Sequence, residues 1–175
     1  MKKVILILVL TLTAFPPWSQ AEAEETASVE AFVGDWTGVG LKEDRGDPLW
    51  PENLEIRDLD INIKKTETGL IISWVTHMRE TAEEKGTTTI LNQTSPNVFV
   101  GNKSGDVLNG DAAVWGRIEN QSLIVYILEV DQKGIYNLAR YERMLLDNDK
   151  MYLFFTRTRD GKTVRRVEAE LVRSQ

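Results

Sequence analysis

From Phe32 to Arg173 the chain repeats one pattern: six to twelve residues rich in Val, Ile, Thr, Leu and aromatics, then a short polar break. Segments of this kind read as pleated strands, and a succession of them divided by turns meets its backbone hydrogen-bonding needs by pairing each strand with its neighbours in sequence. The breaks carry turn chemistry. Asp160-Gly161 and Asn109-Gly110 supply positive φ angles for tight hairpins, and Thr68-Gly69 and Lys133-Gly134 close two others. The predicted strands span about 32–41, 54–65, 69–79, 87–93, 97–101, 112–119, 122–131, 134–146, 150–159 and 162–173. Eight to ten antiparallel strands in sequence order leave exposed edges, and closure into an up-and-down β-barrel removes them. A two-sheet sandwich is the alternative, but it needs longer crossings than these short turns provide.

The fold class is therefore all-β, with a helical turn expected only at 27–33 and an acidic loop or hairpin rim at 81–85. There is no alternation of strands with helices and no internal shift in composition, so one barrel domain is expected over 24–175. The long connection is Lys42 to Asn53. It holds Pro48, Leu49, Trp50 and Pro51, which pack over the barrel mouth either as a ligand lid or as a stability element.

Residues 1–23 read as a cleavable signal peptide: Lys2-Lys3, an apolar run from Val4 to Ala14, and small residues around Ala21-Glu22-Ala23. The run is about half of the roughly 20 residues a spanning helix needs, and Pro16-Pro17 stop it, so no membrane anchor is expected. Cleavage after Ala23 removes two lysines and one glutamate, taking the formal charge from -6 to -7. An acidic protein repels phosphate backbones and anionic lipid, which argues against nucleic-acid and membrane-surface partners. With no cysteine there is no disulfide and no lipidated residue at the cleavage site. A chain of this size buries about 70% of its unfolded surface and needs no such staple. The expectation is a released periplasmic or secreted protein of a bacterium.

The first strand opens as Phe32-Val33-Gly34-Asp35-Trp36-Thr37-Gly38-Val39-Gly40. Alternation puts Trp36 on the face of Gly34, Gly38 and Gly40, which leave room for an indole in a narrow barrel end. Here the sequence resembles the calycin superfamily of lipocalins, fatty-acid-binding proteins and avidins, whose first strand carries Gly-x-Trp after a short helical turn. The resemblance implies an arginine from the end of the chain stacked on the indole, with the pair sealing the barrel. Antiparallel pairing of first and last strands makes Arg173 the first choice for that arginine and Arg165 the second. It also implies an interior that holds a small apolar or amphipathic ligand, such as a fatty acid. The alternative is a ligand-free structural or protein-interaction module of the bacterial envelope.

Alternation nominates Trp74 and Met78 with Ile72 on one strand, Trp115 and Arg117 on another, Tyr141 and Arg143 on a third, and Trp50 from the long connection as ligand contacts. Several strands, such as 123–130, are apolar on both faces, so which set lies inside stays open. His77 is the only histidine, which excludes sites needing two, zinc triads among them. A single histidine ligates haem iron in a barrel group that this chain resembles in strand number and opening motif. His77 lacks that group's ligand context and reads as a solvated strand residue. Asp58-Leu59-Asp60-Ile61-Asn62 starts like a calcium loop, but Ile63 stands where glycine is required and Gly69 where glutamate is expected. No metal and no cofactor is expected. There is no cysteine nucleophile, Gly-x-Ser-x-Gly elbow or phosphate loop, so a catalytic reading would rest on a lone Tyr, Arg or Glu in a pocket.

Overall fold

A computed structural model of the chain describes residues 26–44, 57–79, 82–102 and 105–174. A single helical turn, α1 (Val29–Phe32), leads into ten strands: β1 (Gly34–Asp44), β2 (Arg57–Lys65), β3 (Gly69–Met78), β4 (Glu84–Ser95), β5 (Val98–Gly101), β6 (Ala113–Glu119), β7 (Ser122–Val130), β8 (Tyr136–Leu145), β9 (Lys150–Arg159) and β10 (Lys162–Arg173). Each pairs antiparallel with the next, and β1 pairs with β10, so the sheet closes as an up-and-down barrel. The sandwich alternative is thereby set aside. β4 begins earlier than its composition implies, because Glu84 and Lys85 continue the ladder opposite His77 and Thr76.

Closure fixes the sign of every alternation. Trp36, Ile61 and Ile63, Leu70 and Ile72, Leu91, Phe99, Ile118, Leu123 and Val125, Leu145, Met151 and Leu153, and Ala169 and Leu171 form one buried core, with Phe32 of α1 beneath them. These residues fill the end of the barrel nearest α1. The inward side chains beyond them are different. Trp74, Thr76, Val114, Ile127, Tyr141, Arg165 and Val167 share the inward parity yet are only half-buried, and Arg157 is exposed. In a closed sheet, an inward side chain reaches solvent only where the interior is not filled. Among the described residues the barrel is closely packed at the end nearest α1 and less completely filled toward the other, where Met78, Ala139 and Phe155 are nonetheless buried.

The packed end is held by the seam between β1 and β10. Trp36 lies opposite Arg173, whose guanidinium carbon sits 4.2 Å from the indole centroid. The same arginine donates through Nη2 to the Ala31 carbonyl at 2.9 Å, through Nε to that of Asn148 at 3.0 Å, and through Nη1 to that of Val33. The indole Nε1 donates to Phe32 O at 3.0 Å. One side chain thus ties α1, the start of β1 and the turn after β8 to the last strand. Two glycines make room. A Cβ on Gly34, at φ 142°, would fall 2.6 Å from Arg173 Nη1, and one on Gly38 would fall 2.0 Å from the Glu170 carbonyl oxygen.

Candidate functional site

Three consecutive strands build the wall of the less filled half. The hairpin between β8 and β9 sets Arg143 opposite Leu153, Tyr141 opposite Phe155 and Ala139 opposite Arg157, all on the inward face. The next hairpin turns at Asp160-Gly161, both with positive φ. A bulge between Thr163 and Arg165 then lets Arg165 sit directly opposite Arg157. Bulges re-aim side chains in this way, and here the result is two arginines on facing rungs of the inward face, both against Phe155.

The aromatic part is continuous. Trp74 of β3 meets Tyr141 with centroids 4.9 Å apart, and Tyr141 meets Phe155 at 4.7 Å, both pairs tilted. Arginines lie against this strip at two depths. Arg143 is 1% exposed, with its guanidinium carbon 5.5 Å from the Trp74 centroid and 5.6 Å from that of Tyr141. Arg165 and Arg157 lie 5.5 and 5.9 Å from the Phe155 centroid. Burial pushes the Arg143 guanidinium down to about 10, so it remains charged at neutral pH. Its Nε and Nη1 are buried and have no hydrogen-bond partner among the described residues. Burial likewise pushes the Tyr141 phenol up, opposed by the charges of Arg143, Arg157 and Arg165.

The nominated residues divide. Trp74, Tyr141 and Arg143 face inward and meet across β3 and β8, while Met78 shares the inward parity of β3 and is buried four residues beyond Trp74. Trp115 and Arg117 do not join them: β6 puts Gly116 and Ile118 inside, so its tryptophan and arginine point out. Trp115, 37% exposed, stacks on Tyr126 at 5.1 Å, and Arg117 Nη2 pairs with Glu119 at 2.7 Å. Arg165 is not the second sealing arginine. β1 ends opposite Arg166 at Asp44, so Arg165 falls at the end of the barrel away from Trp36. Trp50 lies outside the described residues. Alternation alone does not single out Phe155, Arg157 and Arg165 as lining residues; the register outward from the β8/β9 turn places Phe155 opposite Tyr141.

His77 faces outward, with Nε2 2.9 Å from Asp60 Oδ2 and Nδ1 3.1 Å from Glu84 Oε1. Among the described residues no group of three or more histidine or carboxylate side chains is arranged to hold a metal ion.

A closed ten-stranded meander with a packed end and a tryptophan sealed by a terminal arginine fits a calycin-like fold. No protein-family model matches the chain, and no curated protein does. Solved structures do. A protein of unknown function of the DUF3598 family from Nostoc punctiforme superposes with a TM-score of 0.60 at 14% identity, over 85% of this chain and 50% of that one. This chain therefore spans half the length of that protein. The S-type phycobiliprotein lyase CPES from Guillardia theta matches with a TM-score of 0.57 at 13% identity, over 84% of this chain and 90% of its own. Rv2717c from M. tuberculosis matches at 0.52 and 11% identity, over 86% of this chain and all of its own. At these identities the likeness is one of fold.

Proposed function

We propose that this chain is an exported barrel that binds a small amphipathic molecule, its apolar body against Trp74, Tyr141 and Phe155 and an acidic group at Arg143. The observation that carries the reading is the buried guanidinium with two N–H donors unmet among the described residues, inside a partly filled barrel. A buried cation without hydrogen-bond partners costs several kcal/mol and adds nothing to folding that an apolar residue would not supply better. A carboxylate brought in by a ligand satisfies those donors. Export to the periplasm or medium rests on the reading of residues 1–23, and release rests on the absence of cysteine.

The test is to express the full chain, recover the mature protein from periplasm and medium, extract it with organic solvent and analyse the extract by mass spectrometry and absorbance. Fatty acids are then added back and the melting temperature followed. Because one fold neighbour is a phycobiliprotein lyase, a bilin is included. A bound amphiphile, or a melting shift with an acidic one that its uncharged ester does not produce, is the expected result. An empty extract and no shift with any acid would end the ligand reading.

A second reading has its own observation. Trp115 and Tyr126 stack on the outer wall beside exposed Val98 and Val100, an apolar strip of the sort that partner proteins cover. On that reading the barrel is a protein-interaction module of the envelope, and Trp115→Ser would break a complex while leaving ligand titrations unchanged.

A further inference from the structure

Trp74 and Tyr141 stand on opposite walls of the barrel. In its closed order four strands separate β3 from β8 in either direction, so no two strands lie farther apart around it. Their rings nevertheless meet, with centroids 4.9 Å apart. A contact between strands so placed crosses the whole interior. It divides the lumen into one lobe toward β9 and β10, where Phe155 and Val167 face inward, and another toward β4 and β6, faced by Thr89 and Val114.

This bridge covers Arg143 on the side away from α1. On β8 Arg143 is two residues nearer the packed end than Tyr141, or about 7 Å at about 3.3 Å per residue. Its guanidinium carbon lies 5.5 Å from the Trp74 centroid and 5.6 Å from that of Tyr141. Both rings are half-buried while the arginine is 1% exposed, so the rings take the contact with solvent that the cation is denied. Only ring contacts hold them in place. With the described residues neither the indole N–H nor the phenol O–H makes a hydrogen bond, and Tyr141 rests on Phe155 at 4.7 Å. Away from α1 the next inward residue on each strand is small, Thr76 on β3 and Ala139 on β8, so neither ring is blocked by a bulky neighbour on its own strand.

On the ligand reading above, we infer that Trp74 and Tyr141 are the gate to Arg143 and set which acids it takes. Parting the rings breaks no hydrogen bond and uncovers Nε and Nη1, the donors that no described residue meets. Once a carboxylate is seated there, the carbons next to it lie between the two rings. A straight chain lets the rings close on it, and a branch at that position holds them apart. The gate therefore selects acids that are unbranched beside the carboxyl group, and it makes association wait for an opening.

The first test needs no ligand. The full chain is treated with 2,3-butanedione, which condenses with accessible guanidinium groups, and each arginine is followed by peptide mass spectrometry. In the parent Arg143 is expected to react at least about tenfold more slowly than the exposed Arg157, and most of that protection should vanish in Tyr141→Ala and in Trp74→Leu, either of which serves if the other does not fold. In the second test the delipidated protein is mixed with dodecanoate or 2,2-dimethyldodecanoate in a stopped-flow instrument. In the parent the rate should level off as dodecanoate is raised and the branched acid should bind at least about tenfold more weakly, whereas in an opened variant the rate should stay linear and the two affinities converge. Arg143 reacting as fast as Arg157 in the parent, or staying protected in the folded opened variants, would overturn the gate, as would equal affinity of the parent for the two acids. Failure of both acids to bind parent and variants alike would overturn the ligand reading, and the selectivity with it, whatever butanedione shows.

Discussion

At neutral pH Arg143 carries its charge in the middle of the barrel, 1% exposed, between Trp74 and Tyr141, with two donors, Nε and Nη1, that no group among the described residues meets. Replacing a buried ionic group by an apolar one of similar volume is commonly neutral or stabilising by about 1–4 kcal/mol. Arg143→Met is therefore expected to leave the empty barrel at least as stable as the parent, by urea titration, while removing affinity for acidic amphiphiles. A clear loss of stability in the ligand-free variant would mean that the guanidinium is held by the fold for its own sake. His77 is the opposite kind of residue, half-buried on the outer face and well partnered. Its hydrogen bond with Asp60, seconded by Glu84, raises its pKa above the ordinary 6.5. Asp58 and Arg79 pair beside it on the same outer face. The protonated form is the one the fold favours, so its contribution is complete below about pH 6.5 and is lost as pH rises through the raised value. Denaturation midpoints of the parent and His77→Gln should differ most below about pH 6.5 and converge as pH rises through the raised value. A difference constant with pH would assign the residue a packing role alone.

Among the elements, the seam between β1 and β10 decides whether the sheet is a barrel or an open ribbon. It is closed by backbone pairing from Trp36/Arg173 to Asp44/Arg166 and locked at one end by Arg173. Trp36 is 1% exposed, and its loss removes the centre of the packed end. Trp36→Ala is expected to cost about 3–5 kcal/mol. Arg173→Met should cost less, since it keeps part of the contact with the indole but gives up three hydrogen bonds to carbonyls. Both are read by chemical denaturation, and an unchanged midpoint for Trp36→Ala would remove the seam from its role in closure. At the other end of the seam the bulge in β10 costs a rung of pairing and sets Arg165 opposite Arg157. Against β9, β10 pairs regularly from Arg165 to Val172 and is irregular only where it lines the far end of the barrel.

For the molecule as a whole, the charge is divided by the sheet. A chain of net charge -6 places Arg143, Arg157 and Arg165 inside its less filled half, while its outer wall carries matched pairs. A ligand that enters binds the folded barrel and not the unfolded chain, so it stabilises by mass action. At a free concentration about 100 times its dissociation constant the gain is about 2.7 kcal/mol, or about 5–10 °C for a chain of this size. Scanning calorimetry with the preferred acidic amphiphile should show that shift in the parent and none in Arg143→Met. An equal shift in both would place the ligand elsewhere on the molecule.

Much of the architecture is legible in the residues alone, because a strand's signature is local. Period-two alternation, β-branched runs and glycines with positive φ are properties of a few neighbouring side chains, and they led to the closed antiparallel barrel with Trp36 near its start. Alternation determines parity but carries no sign. In β6 Trp115 and Arg117 form one face and Gly116 and Ile118 the other, and local chemistry would put the tryptophan inside. Packing chose the reverse, since glycine on the inner face lets β6 approach Leu91 and Val125. In β7 apolar residues occupy both faces and nothing local separates them. Which face is inner depends on the register of ten strands closing on one another, a collective property of the sheet. The gathering of Arg143, Arg157 and Arg165 around Tyr141 and Phe155 was decided there too, by two hairpins and a bulge that bring residues from three strands to one side of the interior.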